Sequence, residues 1–215
     1  GKSSLHDENL TKITFGNIKT TFWTLIKGFV DAAKNTPFVR LCAATFFIFN
    51  SFQTIAAFSF FIIVYYLFQG DAGAAGIWPT LHGSVGALLT TFLVIPIVTR
   101  MSEKLGKKKT FMISQAISIV GYILFWFLFI PGKPYMFLFA LPMFSFGIGG
   151  LFTLMMSMTA DTCDLDELKN GLPRKEATFG AIYWWMVKFG TALAGLLSGL
   201  IMSYVGFDAN LAEQQ

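Results

Sequence analysis

Five apolar stretches, each about 20 residues or more in length, constrain this chain more than any other feature. They fall at about 38–68, 74–99, 111–130, 135–160 and 179–205 and are parted by short turns or charged loops. A hydrocarbon core of ~30 Å needs about 20 residues of helix, at a rise of 1.5 Å per residue, to cross it. Lipid offers the backbone no hydrogen-bond partners, so such segments must be helical. The expectation is an all-α polytopic membrane protein. Composition agrees, with 54% hydrophobic and 13% charged residues, against roughly a quarter charged in a soluble domain.

Charge then orients the spans. Of sixteen Lys and Arg residues, fourteen lie in the leading segment through Arg40, in the 100–109 loop, or in the 169–175 loop. The alternate turns hold only Lys133, and the remaining cation is Lys188. By the positive-inside rule the basic segments face the cytoplasm. The net charge of +4 is therefore an orientation signal and not a nucleic-acid footprint. Residues 1–35 read as a cytoplasmic segment, with Phe22, Trp23, Ile26, Phe29, Val30 and Ala33 at helical spacing and lysines mostly opposite. That pattern predicts an amphipathic helix on the membrane surface. Residues 206–215 read as an external tail. The polar start has no apolar core of a signal peptide, and Cys42 and Cys163 form neither a disulfide framework nor a zinc pattern. Five spans ending outside predict that a sixth helix, and a preceding half, belong to the complete protein.

Lys188 is the costly residue. It lies about 14 Å into the last span by helical rise, where a lysine costs about 2.5–3.5 kcal/mol on insertion scales. None of the chain's twelve acids is expected at that depth, so its counter-charge is expected from another polypeptide segment, unless the amine is neutral. In the first span Asn50, Gln53 and Thr54 share one face; a polar cavity and interhelical hydrogen bonds are both open for them. His82 reads as structural. The glycines of "FGIGG" and the Gly195/Gly199 pair read as packing sites. The run "DTCDLDE" places Asp161, Asp164 and Glu167 at i, i+3 and i+6. It admits a Mg²⁺-dependent membrane enzyme, although a second acidic motif is absent, and it admits ion pairing with the basic residues that follow.

Two loops carry a resemblance. "SEKLGKKKT" resembles a degenerate second copy of the major facilitator superfamily loop. "ADTCDLDELKNGLPRKEATFGAIYWWMVKFGTALAG" resembles the signature of the melibiose permease-like family, the glycoside-pentoside-hexuronide:cation symporters. Ala160, Asp161, Asp164, Glu167, Gly171, Arg174, Glu176, Lys188 and Gly190 occupy the signature places. The resemblance implies a major facilitator half-bundle, with residues 1–35 as the central cytoplasmic loop and 36–205 as helices seven to eleven of twelve. It implies cation-coupled symport (Na⁺ or H⁺) of a sugar by alternating access, in a bacterial inner membrane, with no cofactor beyond the coupling cation. That cation would be held mainly by the amino-terminal half. The implied substrate and cation site comprises Lys188, Phe152, Tyr183 and Trp184, to which the polar face adds Asn50 and Gln53. The implied gate comprises Asp161, Asp164, Glu167, Arg174, Glu176, Glu103, Lys104 and Lys107. Phe152 stands where the family pattern has a sugar-stacking Trp, and Tyr183 and Trp184 replace smaller polar residues. Lipid carriers among the family's relatives leave an amphiphile as a further candidate cargo. The expected partners are a small sugar, the bilayer and the missing half.

Overall fold

The computed structural model describes residues 18–171 and 176–208. Its elements are helices: α1 (Ile18–Lys34), then five long apolar ones, α2 (Thr36–Leu67), α3 (Ala72–Leu105), α4 (Lys107–Leu128), α5 (Pro134–Asn170) and α6 (Glu176–Tyr204). All five are long and apolar enough to cross a bilayer. A single residue separates α1 from α2. It is Asn35, whose side-chain oxygen accepts from the Phe38 N–H at 3.1 Å, capping α2 just ahead of Pro37. Asp71 starts α3 in the same manner, accepting from the Ala74 N–H at 2.9 Å.

The charged stretches expected as loops are mostly helix. "RMSEKL" continues α3, and the basic loop shrinks to Gly106, whose φ of +82° breaks one helix before Lys107 opens the next. Likewise the acidic run 161–167 is the end of α5, which stops only at Gly171, φ +76°. Both tracts are built of good helix formers such as Leu, Glu and Lys. The helix therefore outlasts the apolar stretch until a left-handed glycine ends it.

In α3 the backbone widens to a π-type turn over Thr90–Val94, directly before Pro96. Proline lacks an N–H and crowds the carbonyl four residues back, and a wide turn relieves both problems.

The central element is α5: 61% of its apolar window is buried, against 17–28% for the other spans. It packs along α4 and α3, while α2 packs along α6 and also touches α5. Small residues permit these approaches. A β-carbon on Gly147 or Gly149 would collide with Ser118 or Val94, and one on Gly150 would lie 2.7 Å from Ser114 Cβ. Leu41, Phe49, Val98, Leu151, Met155 and Val187 fill the middle of the bundle. Phe125, Phe137, Leu141 and Phe144 fill the end away from the basic residues. At the basic end Ala32, Phe38, Cys163 and Phe179 close the core, with the Phe38 and Phe179 rings stacked at 4.3 Å. Gly195 and Gly199, expected at a close helix contact, meet nothing within 4 Å among the described residues. Their face of α6 is open.

Candidate functional site

Lys188 lies near the middle of α6, on its exposed side. Trp184, 43% exposed, stands one turn before it, and Thr191 and Gly195 continue the same stripe. Among the described residues no hydrogen bond or ion pair reaches the Lys188 ammonium. A charge of this kind at mid-span needs water, carbonyls or an opposite charge around it.

Tyr183 points the other way. At 1% exposure it belongs to the core with Leu41, Phe49 and Val187, so the structure does not gather it with Lys188 and Trp184. The 100° step between successive residues on a helix separates Tyr183 from Trp184, and packing against α2 and α5 decides which of them turns inward.

On α2, Asn50 donates through Nδ2 to the Gly190 carbonyl at 3.2 Å, and its Oδ1 accepts from Thr54 at 3.3 Å. Asn50 is thus a bridge between α2 and α6, and the carbonyl it reaches, Gly190, stands two residues after Lys188. Gln53 is half-buried nearby on α2. Of the two roles open for this polar face, Asn50 and Thr54 take hydrogen bonding.

A separate cavity of about 390 Å³ lies between α2, α3 and α5, large enough for a small polar ligand. Phe152 lines it, 43% exposed, its ring edge-on to Phe49 at 6.2 Å. Its α3 wall is almost bare backbone, with Gly83, Gly86 and Ala87 leading to Thr90 and Thr91 of the wide turn. The Gly86 carbonyl accepts from Thr90 at 2.8 Å and from Ser145 at 3.3 Å. His82 closes one side. It is 7% exposed, sits 5.5–5.7 Å from the rings of Phe125, Phe137 and Phe144, and its Nε2 has no hydrogen-bond partner among the described residues. Of the residues expected to touch substrate, only Phe152 lines this cavity.

The expected gate residues cluster at the basic end. Lys107 reaches both oxygens of Asp161, at 2.8 and 2.6 Å, tying the start of α4 to α5. Asp164, exposed, and Glu167, half-buried, follow on α5, Glu176 opens α6, and Glu103 and Lys104 are exposed at the end of α3. Arg174 lies outside the described residues. One acid went unremarked in the sequence. Asp166 is buried, and its Oδ1 accepts from Asn35 at 3.3 Å and Asn170 at 2.7 Å, which joins the α2 cap to α5. The only sequence signal was the i, i+4 spacing of Asp166 and Asn170.

The profile of the family described as MFS/sugar transport protein matches residues 17–215, and the chain belongs to that family. The chain thus falls within the major facilitator superfamily, as an all-α, multi-pass membrane protein. Among curated proteins it is 28% identical over 180 residues to a glucuronide carrier protein homolog of Escherichia coli K12, covering 84% of this chain and 38% of that one. It is 26% identical over 192 residues to a putative sulfoquinovose importer of the same organism, covering 88% and 38%. It is 29% identical over 136 residues to an isoprimeverose transporter of Lactiplantibacillus pentosus, covering 60% and 27%. The chain spans less than two fifths of the length of these relatives. No solved structure matches it significantly. These relatives agree with the glycoside-pentoside-hexuronide:cation symporter resemblance. Membership of a transporter family sets the enzyme alternative aside. Within the described residues, no group of three or more His, Cys, Asp or Glu is placed to hold a metal.

Proposed function

We propose that the complete protein is a cation-coupled symporter of a sugar or glycoside, working by alternating access. In this reading α2 to α6 are helices seven to eleven of twelve, residues 1–35 are the central cytoplasmic loop, and the tail after residue 205 leads to a last helix. The observation that carries it is Lys188: a mid-span lysine on an open face, one turn from Trp184, with no ion pair among the described residues. Intramembrane cations of this kind mark substrate or ion pathways. The sugar cargo is supported by the printed names of the relatives, which are a glucuronide carrier homolog, a sulfoquinovose importer and an isoprimeverose transporter.

Mechanistically, carboxylates of the amino-terminal half bind Na⁺ or H⁺ and organise Lys188, and sugar binding completes the site between the halves near the midplane. Phe152 offers an aromatic face for a sugar ring, and Trp184 a second one. The charged residues at the basic end, from Glu103 and Lys104 through Asp164, Glu167, Arg174 and Glu176, make pairs with the other half that break on inward opening. The Lys107–Asp161 pair lies within this half and keeps α4 and α5 together while that happens.

The test is uptake by the complete protein in inner-membrane vesicles or proteoliposomes. A panel of glucuronide, sulfoquinovose and isoprimeverose is supplied under imposed Na⁺ and H⁺ gradients. Gradient-driven accumulation of at least one sugar is expected, with Lys188→Ala abolishing the accumulation. Full accumulation by that variant removes Lys188 from the coupling site, and no uptake of any sugar under either gradient removes the sugar reading.

A further inference from the structure

Among the described side chains of helix α1, those buried against protein and those left exposed lie on different faces. Gly28 and Ala32 form the covered face. A β-carbon on Gly28 would lie 3.0 Å from Thr178 Cγ2 at the start of α6, and Ala32 is 1% exposed against Phe38, Cys163 and Phe179. Turned away from that contact are Phe22 and Phe29, then Val30 and Trp23, all of them exposed, with Trp23 at 61%. They span about 120° of the helix at 100° per residue. Lys34 and Lys27 run beyond Trp23, and Lys19, at the start of the helix, lies within the same arc; all three are exposed. The burial is therefore opposite to that of a helix docked by its greasy side: the small residues meet protein and the aromatic ones do not.

The height of α1 limits what can meet that strip. Its last residue, Lys34, is followed by the Asn35 cap and the first residue of a span. Gly28 and Ala32 touch the start of another span, α6. At least the second half of α1 therefore lies alongside the basic ends of two membrane helices and does not project into the cytosol. By the charge rule that end faces the cytoplasmic leaflet, whose anionic headgroups attract lysines lying near the surface. An apolar strip rich in Phe and Trp beside a lysine-bearing face is the chemistry that seats a helix at the boundary between headgroups and acyl chains.

We propose that α1 is a membrane-interface helix whose partner is the anionic cytoplasmic lipid surface. Phe22, Trp23, Phe29 and Val30 enter the acyl boundary, Lys19 and Lys27 meet anionic headgroups, and Gly28 and Ala32 hold the basic end of α6 to that surface. This rests on α1 alone and does not depend on what the protein transports.

The complete protein in nanodiscs, with Cys42 and Cys163 replaced by Ser, provides the test. Spin labels are placed through Phe22→Cys, Phe29→Cys and, separately, Lys27→Cys. In phosphatidylglycerol-containing discs, oxygen is expected to relax the labels at 22 and 29 more than a water-soluble nickel chelate does, with the reverse at 27. Protection from both reagents at 22 and 29 means that protein covers the strip, and dominance of nickel means that water does; either overturns the proposal. Quenching by brominated lipid, compared between the native protein and Trp23→Phe, gives the same readout with the cysteines intact. A Lys19→Gln/Lys27→Gln variant is expected to lose the difference between phosphatidylglycerol discs and phosphatidylcholine discs. No such difference in the native protein overturns the anionic part.

Discussion

At Gly150 a single hydrogen in place of a methyl group lets α5 lie against α4, because a β-carbon there would come within 2.7 Å of Ser114. Gly150→Val is expected to overpack the contact and cost roughly 1–3 kcal/mol, seen as a lower Tm of the purified complete protein in detergent. Gly195→Ala meets open space among the described residues and should leave Tm within the small range of surface substitutions, about ±0.5 kcal/mol. Both sites look alike as sequence, since each is a glycine with another small residue close by. Tyr183 and Trp184 make the same point: adjacent and both aromatic, one is core and the other exposed. A residue's identity sets what its burial would be worth, and the rotation of its helix sets whether the burial happens.

Among the elements, the end of α5 departs most from the sequence reading. Acidic residues there suggested a loop, yet the helix continues and aims Asp161 at Lys107 and Asp166 at Asn35. The Lys107–Asp161 pair is two-fifths and more than half exposed on its two partners, so solvent screens it. A double-mutant cycle with Lys107→Gln and Asp161→Asn, read as thermal stability, is expected to return a coupling of about 0.2–1 kcal/mol. In α3 the wide turn follows from Pro96 and puts Thr90 and Thr91 on the cavity wall. Pro96→Ala is expected to draw that turn toward a regular α-helix and shift both threonines. Reduced protection of Thr90→Cys from maleimide reagents by the transported sugar would report the shift. The proline was legible in the sequence; the cavity behind it was not, because three helices build it.

For the whole molecule, sidedness is the property the charges bear on most directly. Lys108→Cys is expected to react only with reagent applied from the cytoplasmic side, and Lys133→Cys only from outside. Labelling of both from one side would overturn the orientation. Buried Cys42 and Cys163 should stay unlabelled in the folded protein. The helical class, the five spans and the expected sidedness were all legible, because the bilayer imposes them residue by residue. Backbone groups must pair within their own segment, apolar length must match thickness, and each lysine carries its own cost of crossing. The family resemblance was legible too, through the acidic run and Lys188. What only the tertiary structure decided is which side of each helix faces which neighbour. That choice turned Tyr183 inward, left Trp184 and Lys188 open, drew Asn50 to the Gly190 carbonyl and bared the aromatic strip of α1. Lipid tails are as apolar as Leu, so hydrophobicity does not choose the rotation of a membrane helix. Close packing at small residues chooses it, together with a few hydrogen bonds, and both depend on contacts between segments far apart in the chain.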